Sequence, residues 1–376
     1  MTSRVLVVFV DAFGARQIER LGTSLPSLTH HKALGGVLGY SSGALATVLT
    51  GKHPEDHGRM CLFTRAPEGG DRILKPLRVL GLLPRIIHER GRVRHLAGKA
   101  FARMAGLTGY VSLHRVPPEE FHWLDLPERD DIFNARELGG VPTFLTQARD
   151  AGLSVYAAPW QVEESRRWKN SIEVLSKDKP DLAFLYATVL DARLHEYGNR
   201  PDVVEETLAE IGAHVERARD AMGSDGADLT TYVVGDHGMA DVSREVDPRR
   251  VVRRLGLRLF VDSTMLRMWG SGEELKRARR EIELAGWPGK WLDSAALTER
   301  RAPVADAPYG DAFFLLEEGA IFVPSYVGGS VRGMHGYDIS DFSARAALAS
   351  DRPIPEGLVE IADLAPEVRR GLGIGP

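Results

Sequence analysis

Cysteine is almost missing from this chain: Cys61 is the only one in 376 residues. No disulfide can close within it, and a reducing compartment fits that count. Long apolar runs are missing as well. The N-terminal stretch Val5 to Val10 is short, ends at Asp11 and has no small-residue cleavage site behind it, unlike a secretory signal. No uninterrupted run approaches the ~18 apolar residues that a bilayer span needs. Internal repeats and low-complexity tracts are also absent. These absences together predict a cytoplasmic protein, with contact at the inner membrane surface left open.

What is present is ordinary in amount and uneven in distribution. Hydrophobic residues make up 43% and charged residues 27%, as in a soluble globular enzyme. The length suits one large α/β domain, or a core with an inserted cap. The net charge is −4, yet ten Lys/Arg lie between Arg72 and Arg115 against one acid, Glu89. That segment is therefore strongly basic and the remainder acidic.

Val5–Val10 is a continuous β-branched run, as expected of a strand buried on both faces of a mostly parallel sheet. Similar runs occur at Ser154–Ala157, Leu182–Thr188 and Thr230–Val234. Helical patterns lie between them, at Thr143–Ala151 and, most clearly, Val203–Met222. Alternating strands and helices predict a doubly wound α/β sheet sandwiched by helices. The core is expected from 1–59, 136–254 and 331–376, with a basic cap at 60–135 and a small α+β subdomain at 255–330. Within the subdomain, Leu259–Trp269 reads as a strand, Glu273–Ala285 as a helix, and Asp311–Leu316 with Ala320–Pro324 as a hairpin. The tail after Pro353 reads as peripheral.

Ligands of such sheets gather at the carboxyl ends of the strands. Asp11, Asp191 and the pair Asp236-His237 each follow a strand run. Asp191 and His195 are four apart, so a carboxylate and an imidazole share one face of a helical turn and can meet one cation. His335 stands in Gly333-Met-His-Gly336, where the backbone can bend tightly. Each of these has a plain alternative: a helix cap, a surface ion pair, a loop histidine. Ser41 and Ser42 precede an apolar helical stretch that ends at Thr50-Gly51, with Gly51 suited to the residue after a helix. Serine there is a good N-cap. The same position also offers free N–H groups and a helix dipole to a phosphate or a serine alkoxide.

Taken in order, five segments resemble the alkaline phosphatase superfamily, and most closely its nucleotide pyrophosphatase/phosphodiesterase branch. They are Val-Phe-Val-Asp11-Ala-Phe-Gly14, the run from Tyr40-Ser41 to Thr50-Gly51 and on to His57-Gly58, Asp191 to His195-Glu-Tyr-Gly198, Val-Val-Gly-Asp236-His237-Gly238, and Gly-Met-His335-Gly-Tyr-Asp338. The resemblance implies a nucleophile ten residues before the Gly of a Thr-Gly pair, which selects Ser41 over Ser42. It implies two divalent ions, one on Asp11, Asp236 and His237 beside Ser41, the other on Asp191, His195 and His335. Such mixed ligands suit zinc first, with manganese or iron as alternatives. The implied activity is cleavage of phosphodiester or diphosphate bonds through a phosphoseryl intermediate. Phosphomonoester or phosphonate hydrolysis on the same site, and a surface-binding protein on an inactive core, are the alternatives.

The pattern departs from the family at two places. Its phosphodiesterases usually carry Thr as nucleophile and Asn three residues later; here the residues are Ser41 and Ala44. His57, in the second Asp-His pair, reads as structural. The cap matches nothing in the resemblance. Its Val93, Leu96, Ala97, Ala100, Phe101 and Met104 form a helical apolar stripe, with Arg92, Arg94, Lys99 and Arg103 mainly opposite. Ser42 and those four cations are candidate substrate contacts. The expected substrate is an anionic phosphate-containing small molecule or a lipid-linked one, residues 72–115 are a candidate membrane contact, and no nucleic-acid motif is present. Nothing in the sequence sets the oligomeric state.

Overall fold

The structure is a computed structural model describing residues 3–70, 72–82 and 91–375. Arg85, Glu89 and Arg90 of the basic segment lie outside the described residues. Six strands form the central sheet: β1 (Ser3–Val10), β2 (His30–Leu34), β3 (Val155–Ala157), β4 (Leu182–Ala187), β5 (Asp228–Val234) and β6 (Ala346–Ser350). Their order is β2-β6-β5-β1-β4-β3. β1 pairs in parallel with β4 and β5, and β3 with β4, while β6 runs antiparallel to both β2 and β5. The doubly wound α/β class is as the sequence predicts.

Period-two alternation explains why β1 is apolar throughout. Val5, Val7 and Phe9 enter one core layer, and Leu6, Val8 and Val10 the other. The flanking helices are α1 (Ser41–Thr50), α2 (Gly91–Met104), α3 (Phe144–Asp150), α4 (Glu164–Asp178), α5 (Val189–Tyr197), α6 (Pro201–Gly223), α7 (Gly272–Ala285) and α8 (Leu364–Gly371). Thr143 caps α3 by accepting from the Thr146 N–H, and α6 buries Val204, Leu208, Ile211, Val215 and Met222, its predicted stripe.

Three expectations are corrected. The tail is core, since Leu358, Ile361, Leu364, Ala365 and Val368 are buried against the sheet through α8. Its apolar residues are spaced for a helix, and the Pro/Gly content at the ends hides them. Leu259–Trp269 is two antiparallel strands, Arg258–Val261 and Met265–Trp269, which turn at Asp262–Thr264. The hairpin at 311–324 does not form: Ala312–Leu316 pairs with Met265–Trp269 and with Gly289–Leu292, while Ala320–Phe322 runs parallel to Arg244–Val246. Adjacent apolar runs need not pair with each other when a third strand offers a better face. The cap joins that subdomain sheet through a shared cluster of Phe63, Leu77, Leu113, Phe121 and Trp123 with Phe260 and Trp269. Among the described residues no helix is long and apolar enough to cross a membrane.

Candidate active site

Two loops at the strand ends come so close that no side chain fits between them. A Cβ on Gly235 would stand 1.9 Å from the Phe13 carbonyl oxygen, and one on Gly14 2.2 Å from the Gly238 Cα. Substitution at either would push Asp11 and Asp236-His237 apart, which is why glycine is required there. Asp236 Oδ1 then accepts from the N–H groups of Ala12 (3.1 Å) and His237 (3.0 Å). Its Oδ2 is buried, and its near neighbour is His237 Nε2 at 3.1 Å. Asp11 is arranged alike: Tyr186 O–H donates to Oδ2 at 3.1 Å, and Oδ1 is left unpartnered.

The imidazoles are oriented by backbone carbonyls. His237 Nδ1 lies 2.9 Å from the Gly238 oxygen and His195 Nδ1 2.8 Å from the Gly333 oxygen. With each Nδ1–H donating there, Nε2 is the atom turned toward the carboxylates, and it can meet a cation once it carries no proton. His195 Nε2 is 3.3 Å from Asp191 Oδ1, and His335 Nε2 is 3.9 Å from the same oxygen. The rings of His237 and His335 stack with centroids 3.7 Å apart. One ligand atom each of Asp11, Asp236 and His237 falls within 4.8 Å of the others, and the same holds for Asp191, His237 and His335. His195 joins the second group through its contact with Asp191.

Ser41 opens α1, with Tyr40 extended before it and Gly51 left-handed at the far end (φ 69°). Its Oγ is 3.1 Å from His237 Nε2. The Gly43 and Ala44 N–H groups donate to the Tyr40 carbonyl (2.9 and 3.2 Å), so the Ser41 and Ser42 N–H groups are the ones at the start of α1 left without an acceptor in the helix. Ser42 Oγ is buried without a partner.

Electrostatics make this cluster an uncomfortable one for protons alone. Burial first, then Asp236 and Asp191, pushes the Asp11 carboxyl well above the usual carboxylate range. Asp191 is raised too, again mainly by burial. Burial by itself would lower His237, but Asp236, Asp11 and Asp191 outweigh it and bring it up to about 10. His335 is pushed well down by burial and by the two neighbouring imidazoles. Asp11 Oδ1, Asp191 Oδ1 and Asp236 Oδ2 stand buried here with imidazole nitrogens as their near neighbours and no other donor. Buried acceptors without donors are costly, and a divalent cation is the species that satisfies carboxylate and imidazole together. The donor set fits metal.

The six predicted ligands and Ser41 are thus brought together from distant segments. His57 is apart, and both its nitrogens are used. Nδ1 accepts from the Arg59 N–H at 3.2 Å, and Nε2 is 3.0 Å from Thr47 Oγ1. Burial pushes it down to about 4, so it is neutral when folded. Its folded pKa lies below its unfolded value, so the stabilisation is full above pH ~6.5 and is lost as pH falls toward 4. Relative to His57→Gln, the wild type is expected to lose roughly 3 kcal/mol over that window, read by urea unfolding at each pH. Parallel curves would contradict the neutral assignment.

The predicted cationic contacts are not brought here. Arg92, Lys99 and Arg103 are exposed on the outer side of α2, and Arg94 turns inward to donate to the Val116 carbonyl. None of the four bonds to a residue of the cluster. Arg167 is buried but donates to the Trp160 and Val162 carbonyls, and Arg166 and Lys169 are exposed. Two supports were missed in the sequence. Tyr186 was legible in principle, since a phenol inside an apolar strand run needs a partner. Thr264 was not, because it acts across the subdomain. Its N–H donates to Tyr40 Oη (3.1 Å) and its Oγ1 donates to the Gly336 carbonyl (2.6 Å), tying Ser41's neighbour to His335's neighbour. An open hollow of about 680 Å³ borders His195 and is lined by Arg244 and Arg332 among others.

A doubly wound sheet with carboxylates, imidazoles and a helix-terminal serine at its strand ends defines the alkaline-phosphatase-like class of phosphoric ester hydrolases. The chain belongs to the type I phosphodiesterase / nucleotide pyrophosphatase family, whose model matches residues 5–290. No curated protein matches. Among solved structures it is similar to human ectonucleotide pyrophosphatase / phosphodiesterase 5, with 14% identity, TM-score 0.71, and coverage of 99% of this chain and 95% of that one. The murine counterpart gives 15% identity, TM-score 0.70 and coverage of 99% and 95%. An inactive murine variant in complex with AMP gives 15%, 0.71, and 99% and 96%. These likenesses are of fold. Family membership makes the chain a phosphoric ester hydrolase that acts on phosphodiester-type bonds.

Proposed function

We propose that the chain cleaves a phosphodiester or diphosphate bond through a phosphoseryl intermediate on Ser41, with two divalent ions, zinc first, held by its six carboxylate and imidazole ligands. The observation that carries this reading is the convergence of buried carboxylate oxygens and imidazole nitrogens beside a serine at the start of α1. Asp11, Asp236 and His237 would hold the ion beside Ser41, and Asp191, His195 and His335 the other. Bound there, the ions would supply Lewis-acid stabilisation of the entering and leaving oxygens and lower the pKa of the serine hydroxyl. Ser41 Oγ forms the new P–O bond in line with the leaving group, whose P–O bond breaks. Water then reverses the geometry and frees the serine. In this reading the Ser41 and Ser42 N–H groups at the start of α1 hold the phosphoryl oxygens, and the buried Ser42 hydroxyl is no more than a minor contact. In-line attack expels the leaving group on the side away from Ser41, where the ion on Asp191, His195 and His335 would stabilise it. The AMP held by the related murine variant supports a phosphate-bearing small molecule as substrate.

A monoester carries one more negative charge than a diester and needs another cation at its third oxygen. Arg167 is committed to carbonyls, and Arg166 and Lys169 face solvent. The expected outcome is a higher kcat/KM on bis(4-nitrophenyl) phosphate than on 4-nitrophenyl phosphate with zinc or manganese present. The reverse ranking would make this a phosphomonoesterase.

A further inference from the structure

The apolar stripe predicted along α2 is split: Val93, Ala97 and Phe101 face the protein, while Leu96, Ala100 and Met104 face outward. The helix turns Val93, Arg94, Ala97, Gly98, Phe101 and Ala102 inward, and leaves Arg92, His95, Leu96, Lys99, Ala100, Arg103 and Met104 exposed. The exposed set recurs at i, i+3, i+4, i+7, i+8, i+11 and i+12, one continuous face. Leu96 is 66% exposed and Met104 81%. Large apolar side chains this open are unusual in a helix that has a core to pack on, and here Phe101 already supplies that contact. The preceding turn, Lys75–Leu82, repeats the arrangement: Val79 and Leu82 are exposed beside Lys75 and Arg78. Leu77 and Leu80 of that turn share the cluster that receives Phe101, so turn and helix form one body.

Charge says what covers this face. Among the described residues from Arg72 to Arg115 there is no acid, and none of Lys75, Arg78, Arg92, Lys99 and Arg103 has a carboxylate partner. Elsewhere the chain is acidic, so this cationic surface is not a general solubilising shell. An uncharged protein face would leave the cations interleaved with it unpaired. An anionic bilayer accepts both: Leu and Met enter the headgroup boundary, while Arg and Lys meet the phosphates.

We propose that the outer face of α2, with the Lys75–Leu82 turn, docks the protein on an anionic lipid bilayer such as the cytoplasmic leaflet. The face belongs to the cap, which packs on the subdomain through Phe260 and Trp269, so docking would bring the bilayer to the cap and not to the central sheet. The test is co-sedimentation of the full chain with phosphatidylcholine vesicles with and without phosphatidylglycerol. Binding should need the anionic lipid and weaken as salt rises. Each cation at the surface is worth about fivefold, so Arg92→Gln/Lys99→Gln/Arg103→Gln should lower partitioning on the order of a hundredfold. Leu96→Ser/Met104→Ser should also lower it with less salt dependence, and neither set should change turnover of bis(4-nitrophenyl) phosphate or the unfolding midpoint. No binding of wild type to anionic vesicles, or equal binding to neutral ones, would overturn the proposal. Retention by single-stranded RNA without vesicle binding would do the same and assign the face to nucleic acid. A fall in turnover of the soluble diester in the triple variant would place these cations on the substrate path instead.

Discussion

Ser41→Ala should abolish hydrolysis of bis(4-nitrophenyl) phosphate, with kcat down on the order of a thousandfold or more, while Ser42→Ala retains most of it. Both hydroxyls start the same helix, so composition alone cannot rank them. Geometry does: Ser41 Oγ is 3.1 Å from His237 Nε2, at the centre of the ligand cluster, whereas Ser42 Oγ has no partner. The serine side chain makes no other hydrogen bond, and the helix keeps its extended Tyr40 cap, so alanine should leave folding intact. A thermal unfolding midpoint unchanged from wild type would separate lost chemistry from lost structure. If Ser42→Ala were the inactive variant and Ser41→Ala the active one, the register of the turn would be wrong.

Asp236→Asn should be nearly as damaging, and for a different reason. Oδ1 can still accept from Ala12 and His237, so the loop should persist. The other position changes from a buried acceptor to an NH₂ donor aimed at the place where a cation would sit. Displacing a residue that only supports a ligand typically costs about 10–100-fold in metal affinity, and a ligand should exceed that. Elemental analysis after removal of loose metal should give two zinc-type ions per wild-type chain and fewer for Asp236→Asn, with turnover falling alongside. His57→Gln and His214→Gln should keep both ions, because His57 is held by Thr47 and Arg59 and His214 stacks on Trp168. One ion in the wild type, or loss on replacing His57, would defeat the ligand assignment. Metal uptake should also weaken on acidification, since His237 must give up its proton to bind.

The core was legible because its strands are buried on both faces and therefore read as unbroken apolar runs. Asp11, Asp191 and Asp236 were legible because they end those runs, and the strand-end rule needs no knowledge of neighbours. His335 was weaker: it follows a two-residue strand, Gly333–Met334, whose partner Ala240–Asp241 is far away in sequence. Helix faces were the least legible. In α6 one stripe is apolar and the opposite one charged, so burial had a single solution. In α2 the apolar stripe is wide and half made of alanine, and small residues such as Ala97 and Gly98 can pack as closely as Leu96. The face that turned inward was decided by contacts with Leu113 and the Val116 carbonyl, which no local pattern encodes. The partner exchange at 311–324 and the reach of Thr264 to Tyr40 and Gly336 have the same origin in distant pairing.

The covalent step is the centre of this account, and it can be caught directly. Enzyme mixed with bis(4-nitrophenyl) phosphate, quenched in acid during turnover and digested, should yield a peptide containing Ser41 that carries one 4-nitrophenyl phosphoryl group. The adduct should be absent from Ser41→Ala and should disappear when substrate is exhausted. Full turnover with no adduct on any residue under rapid quench, or an adduct on Ser42, would contradict it.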